Sequence, residues 1–131
     1  MPVPEFITRI RTLVGPHPLW LPGVSAVVLD DDGRFLLGRR ADNGRWAVVS
    51  GIPEPGEEPA VAAVREVLEE TGVLAEAVAL TAVSTSEVIT YPNGDVAQYL
   101  DVCFWCRAVG GAATARHQKH TSRYWATSPL G

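Results

Sequence analysis

The 23 residues from Gly51 to Val73, GIPEPGEEPAVAAVREVLEETGV, constrain this chain more than any other stretch. Gly51 is followed six positions later by Glu57, and then by the run Arg65-Glu66-Val67-Leu68-Glu69-Glu70-Thr71-Gly72-Val73. Glu66, Glu69 and Glu70 fall within five positions of one another. Like charges one turn apart destabilise a helix. Such a cluster persists where something positive compensates it. Hard divalent cations, which take oxygen ligands, are the natural compensation.

At about 100° per residue, a helix over 59–71 places Val61, Val64, Val67, Leu68 and Thr71 on one face. Glu66, Glu69 and Glu70 then fall on the opposite face, with the small Ala62 among them. The pattern predicts an apolar face on a sheet and an acidic face in a cleft. Pro59 suits the first helical turn, where its missing N–H has no intrahelical partner anyway. Gly72 suits the left-handed position past the end. Glu57 and Glu58 sit at the positive end of the helix dipole. Arg65 lies one turn before Glu69 and can neutralise part of the cluster. The preceding Gly51-Ile52-Pro53-Glu54-Pro55-Gly56 reads as a loop, which can turn a backbone carbonyl toward a metal. A Glu-rich amphipathic helix alone is also compatible with a solvated face. The whole block is more specific, because nine of its positions fit one fixed pattern.

That pattern is the Nudix box, G-x5-E-x7-R-E-U-x-E-E-x-G-U with U aliphatic. The chain resembles it at Gly51, Glu57, Arg65, Glu66, Val67, Glu69, Glu70, Gly72 and Val73. Residues 24–51, VSAVVLDDDGRFLLGRRADNGRWAVVSG, also look like the lead-in of Nudix hydrolases, so the resemblance covers about residues 20–107. One departure is Val49-Ser50, where family members often carry Pro-Gly.

The resemblance implies metal-dependent hydrolysis of a nucleoside diphosphate linked to another moiety. Water would attack phosphorus of the pyrophosphate bond. It implies Mg²⁺ or Mn²⁺ on Glu66, Glu69 and Glu70, helped by the carbonyl of Gly51. It implies orienting roles for Glu57 and Arg65, and contact of Arg40, and less directly Arg39, with substrate phosphate. Arg39 and Arg40 are equally readable as a solvated strand end. The base is either Glu66 or a downstream carboxylate. The substrate classes implied are (d)NTPs, ADP-ribose and nucleotide sugars. Trp20, Trp46, Tyr91, Tyr99, Phe104 and Trp105 are candidates to stack on a base. Most of them read more readily as core or sheet-face residues.

Length and composition agree with one domain over residues 1–131, with an N-terminal extension over 1–20. Net charge of −4 argues against stable nucleic-acid binding. No apolar run reaches membrane-spanning length, and the start has no signal-peptide pattern, so the expected compartment is cytoplasmic. Phe6, Ile7, Ile10, Leu13 and Val14 keep helical spacing, with Gly15 to end the helix. That helix packs on its own domain or on a second subunit, which leaves a homodimer open.

Strands are predicted at Val24–Leu29, Phe35–Arg40, Trp46–Val49, Ala77–Val83, Ser86–Tyr91, Val96–Ala108 and Tyr124–Trp125. Turns are predicted at Asp30–Gly33 and Pro92–Asp95. The fold class is α+β, a mixed α/β sandwich. Its central mixed sheet is Nudix-like, with the box helix on one face and a short N-terminal helix. Cys103-x2-Cys106 with His117-x2-His120 has the residue types of a zinc site, but the intervals are short. Reduced, buried thiols are the expectation.

Residues 110–131 fit the resemblance poorly. The last acid is Asp101, and the tail is basic. Related enzymes often carry an acidic loop and a final helix there. The tail therefore reads as altered by truncation or frameshift, or as a variant without an auxiliary carboxylate. The second variant would favour an alternative function, a nucleotide-binding sensor or regulatory module that has lost turnover.

Overall fold

The structure, a computed structural model, describes residues 3–40, 44–113 and 120–126, the last for backbone only. It contains α1 (Glu5–Val14), β1 (Leu19–Leu29), β2 (Phe35–Arg40), β3 (Trp46–Ala47), β4 (Val49–Gly51) and α2 (Pro59–Thr71). There follow β5 (Val73–Thr85), β6 (Ile89–Thr90), β7 (Val96–Gly111) and β8 (His120–Ala126). The strands form one mixed sheet with the path β3-β2-β1-β7-β5. β1 and β7 run parallel over Leu19–Leu29 against Ala97–Arg107. The other pairings are antiparallel. This is the expected mixed α/β sandwich.

Alternation along β1 sorts the two helices onto opposite faces. Val24, Ala26 and Val28 pack with Ala62, Ala63 and Val67 of α2, together with Leu36, Val73 and Cys106. Leu19 and Leu21 turn the other way, to Ile7 of α1, Ala97 and Tyr99. The first core is the larger, and it fixes α2 to the sheet.

Several element boundaries differ from the sequence expectation. β1 begins at Leu19, through Pro22 and Gly23. Before Val24, among the described residues, this strand pairs with β7 alone. Proline is tolerated where one side of a strand needs no N–H donor. The expected strand Trp46–Val49 divides in two. Trp46 and Ala47 pair with β2, and Val49–Gly51 pair with Val24–Ala26 of β1. β5 starts at Val73, directly after the Gly72 cap, and Ser86–Tyr91 contributes only Ile89 and Thr90.

β5 is an edge strand, and its register against β7 shifts at three places, near Ala75, Ala79 and Ala82. Its outer half is uncovered, with Val78, Leu80 and Val83 exposed. Both predicted turns form, at Asp30–Gly33 and at Tyr91–Asp95.

Candidate active site

The helix α2 has the predicted ends. Pro59 opens it, and Gly72 closes it in the left-handed conformation (φ 79°), donating its N–H to Leu68 O at 2.9 Å. Thr71 Oγ1 donates to Val67 O at 2.6 Å and accepts from Val73 N–H at 3.1 Å, which leads the chain straight into β5.

The predicted helix face is corrected. Val61 and Leu68 are 58% and 41% exposed. The buried residues are Ala62, Ala63, Glu66, Val67, Glu70 and Thr71. Glu66 and Glu70 are each only 1% exposed. The small side chains of Ala62 and Ala63 let the helix lie close to the sheet, and this draws the two carboxylates under the protein surface. Val67 and Thr71 are buried as expected, but counting bulky apolar residues misses the part of the contact that is built from alanines.

Glu66 lies directly over Gly51. A Cβ built on Gly51 would stand 2.2 Å from Glu66 Cδ and 2.6 Å from Oε1. No other residue type fits there without moving the carboxylate. Thus Gly51 is required for close approach, and φ is not the reason.

Arg65 organises the acids around it. Its Nε and Nη2 donate to Glu57 Oε2 and Oε1, both at 2.8 Å, a two-pronged pair. Its Nη1 donates to Glu66 Oε1 at 2.9 Å and Glu69 Oε2 at 3.2 Å. Nη2 also reaches Ile52 O at 3.3 Å. Glu57 Oε1 in turn accepts from Glu54 N–H at 3.0 Å, which ties down the Gly/Pro loop. Hydrogen bonds from Arg65 are the main cause that lowers the Glu57 pKa below its ordinary value. The Arg65 pKa is raised, chiefly by Glu57.

Burial pushes the Glu66 pKa up to about 7, against the opposing pull of Arg65 and with help from the Glu70 and Glu69 charges. Glu66 Oε2 is buried and has no hydrogen-bond partner. A carboxylate oxygen in that state is costly unless a partner arrives. The donors are oxygens, as a hard cation requires. Among the described residues no three metal-binding side chains converge closely enough to hold an ion as they stand. Arg65 occupies one oxygen each of Glu66 and Glu69, so loading asks the half-exposed Glu69 to turn. The residues fit a divalent cation on these terms.

A cleft of about 230 Å³ lies over this network, lined by Val3, Pro4, Glu5, Glu54, Arg65, Glu66 and Glu69. The structure therefore brings Gly51, Glu57, Arg65, Glu66 and Glu69 together, with Glu70 buried one turn along α2. Arg39 does not line the cleft; its Nε donates to Gly44 O at 3.3 Å. The Arg40 side chain lies outside the described residues. Val3, Pro4, Glu5 and Glu54 were missed in the sequence. Glu54 stands inside the Gly/Pro loop, but nothing local signals that the N-terminus returns to this point.

A larger cleft of about 520 Å³ lies between the Asp30–Arg34 turn and the end of β7. Its arginines, Arg34 and Arg107, already pair with Asp30 and Glu76. It holds none of the box carboxylates.

Of the candidate aromatics, Phe104 packs on the main core and Tyr99 on the smaller one. Trp20, Trp46, Tyr91 and Trp105 are exposed, with the three tryptophans on strands of the sheet. The Tyr91 and Tyr99 hydroxyls lie 2.6 Å apart, and burial raises the Tyr99 pKa. Cys103 and Cys106 are free thiols; burial pushes the Cys106 pKa up to about 11. His117 and the side chain of His120 lie outside the described residues. Asp101, the last acid, accepts a hydrogen bond from Ser25 Oγ at 3.0 Å. Among the described residues no helix is long and apolar enough to cross a membrane.

Comparison with known proteins gives the same family. A "MutT-like protein" of Streptomyces ambofaciens is 37% identical over 110 residues, 84% of this chain and 66% of that protein. An RNA pyrophosphohydrolase of Roseobacter denitrificans is 43% identical over 83 residues, 60% of this chain and 47% of that protein. The chain thus spans less than two thirds of the length of these curated relatives. The crystal structure of a MutT protein from Methanosarcina mazei Go1 superposes with a TM-score of 0.67 at 23% identity, covering 85% of this chain and 79% of that one. That likeness is one of fold. The sequence profile of the NUDIX domain matches residues 19–128, a span that takes in β8 and much of the basic tail. With that match over most of its length, the chain belongs to the NUDIX domain family.

Proposed function

We propose that this chain is a divalent-metal-dependent pyrophosphohydrolase. Its substrate is a nucleoside diphosphate joined to a further group, in the class of (d)NTPs, ADP-ribose and nucleotide sugars. The observation that carries this reading is the buried, unpartnered Oε2 of Glu66, a residue whose carboxylate packs against Gly51 and whose side chain lines the cleft.

Glu66, Glu69 and Glu70, with the Gly51 carbonyl, would hold Mg²⁺ or Mn²⁺. When bound, the ion neutralises diphosphate oxygens and lowers the pKa of a water. The remaining work falls to the chain. Arg65 grips Glu57, Glu66 and Glu69 at once and so fixes the rotamers of the acids. Glu57 holds the loop that carries the Gly51 carbonyl, through its bond to Glu54 N–H. Glu66, or a downstream carboxylate, would take a proton from the attacking water. The family resemblance, and not the cleft lining, assigns Arg40, and less directly Arg39, to substrate phosphate, where a guanidinium is a two-pronged donor.

One observation favours a second reading, a nucleotide-binding sensor without turnover. No Asp or Glu follows Asp101, so the tail brings no carboxylate to the cleft. The test is release of phosphate or pyrophosphate from a panel with Mg²⁺ and Mn²⁺: dNTPs, 8-oxo-dGTP, ADP-ribose, nucleotide sugars and dinucleoside polyphosphates. Turnover of one class establishes the hydrolase and names its substrate. Silence across the panel, with Mn²⁺ binding intact, selects the sensor.

A further inference from the structure

The cleft over the acids has one wall from outside the box, the head of α1. Val3, Pro4 and Glu5 line it opposite Glu54, Arg65, Glu66 and Glu69. Pro4 is buried, and its carbonyl accepts from the N–H groups of Ile7 and Thr8 at 3.0 and 3.2 Å, which starts the helix there. The rest of α1 is pinned to the far face of the sheet. Ile7 packs on Leu21 and Ala97. Arg11 donates to Gly15 O at 3.0 Å, His17 O at 2.7 Å and Val96 O at 2.8 Å, and its Nε lies 3.6 Å from Asp95 Oδ2. These contacts set where the head of the helix lies.

The charge in the cleft is unbalanced. Four carboxylates, Glu5, Glu54, Glu66 and Glu69, face one guanidinium, Arg65. The Glu5 charge is barely compensated, since Arg9 stands 3.8 Å away and both side chains are mostly exposed. Independently, Glu66 presents a buried oxygen with no hydrogen-bond partner at the same cleft.

We propose that Glu5 is a positioning residue of the metal cleft. Its carboxylate, presented by α1, acts on the water shell of the divalent cation and raises the affinity of the cleft for it. This rests on the metal reading above. Because Glu5 is 82% exposed, its effect is modest and screened by salt.

Mn²⁺ is the probe, titrated by electron paramagnetic resonance into the full chain. Glu5→Gln weakens Mn²⁺ binding by about two- to fivefold, and the difference shrinks in high salt. Glu5→Asp restores part of it. Glu76→Gln, an acid outside the cleft, leaves binding unchanged. Arg11→Met releases the helix and weakens Mn²⁺ by a similar factor. Combined with Glu5→Gln it adds nothing further, since both changes remove one contribution. The metal-free melting temperature of Glu5→Gln stays at the wild-type value.

Wild-type affinity in Glu5→Gln, beside a large loss in Glu70→Gln, overturns the role of Glu5 and leaves the metal reading standing. A metal-free melting temperature lowered in Glu5→Gln assigns the residue to the fold instead and also overturns it. Unchanged Mn²⁺ affinity in Glu70→Gln removes the metal reading, and the role of Glu5 with it.

Discussion

The two helices of this protein meet the sheet in opposite ways. α2 lies in the main core, and six of its thirteen residues are buried, two of them glutamates. α1 buries one residue, Ile7, and leaves Leu13 largely exposed. α2 carries its own polar network, centred on Arg65. α1 is tied down by one arginine bonded to backbone carbonyls. The contrast teaches where precision comes from. The candidate acids are carried by the embedded helix, and the lightly held helix supplies a wall and a rim charge.

The largest effect should come from the embedded helix. Glu70→Gln is expected to lower turnover by at least about 100-fold, since even indirect contacts to a metal are worth 10–100-fold. Circular dichroism should show an unchanged fold. Near-normal rates at equal metal would dissolve the functional distinction between the helices.

Next is the pH response of the metal-free protein. Burial raises the Glu66 pKa from 4.5 to about 7. The folded state therefore holds that proton more tightly than the unfolded state does. Stability is highest below the unfolded pKa and falls as pH rises through about 7. The span amounts to roughly 3 kcal/mol. Glu57, whose pKa is lowered, titrates below this window and does not mask it. Melting temperatures between pH 5 and 8 should decline in wild type and run flat in Glu66→Gln. A flat wild-type profile would mean that Glu66 is not desolvated.

Gly51→Ala should cost about 1–3 kcal/mol, the usual price of forcing an extra carbon into a packed site. The collision is with Glu66, so Mn²⁺ affinity should fall alongside the melting temperature. Stability and affinity both at wild-type values would show that Glu66 can step aside freely.

The smallest global effect is expected from Ile7→Ala. It removes the one buried anchor of α1. Hydrogen exchange should quicken in residues 5–14 and stay slow in residues 62–71, because α1 opens on its own. Equal loss of protection in both helices would show that they fold as one unit.

Much of the site was legible because its information is local. Pro59, Gly72, the Arg65–Glu69 pair and the loop before the helix all interact within a few turns, and all were placed from spacing. The strands and both turns followed from period and turn residues, and the mixed sheet from the family resemblance. The helix face did not, because alanines pack closer than valines, and hydrophobicity alone cannot register that. The break at Val48 depends on two different partner strands, and β1 reaches back to Leu19 only because β7 lies beside it. Glu5 lines the cleft because the fold brings distant parts of the chain to one place, which no local pattern encodes.

The three register shifts in β5 bear on how these molecules behave when crowded. A long, regular edge strand offers a continuous ladder onto which a strand from another molecule can add, and apolar edges invite aggregation. β5 has the length and the exposed Val78, Leu80 and Val83 for that hazard. Each shift interrupts the ladder and twists the edge. By that physics the irregularity leaves a poorer template for strand addition, and a straightened β5 would present the longer continuous ladder.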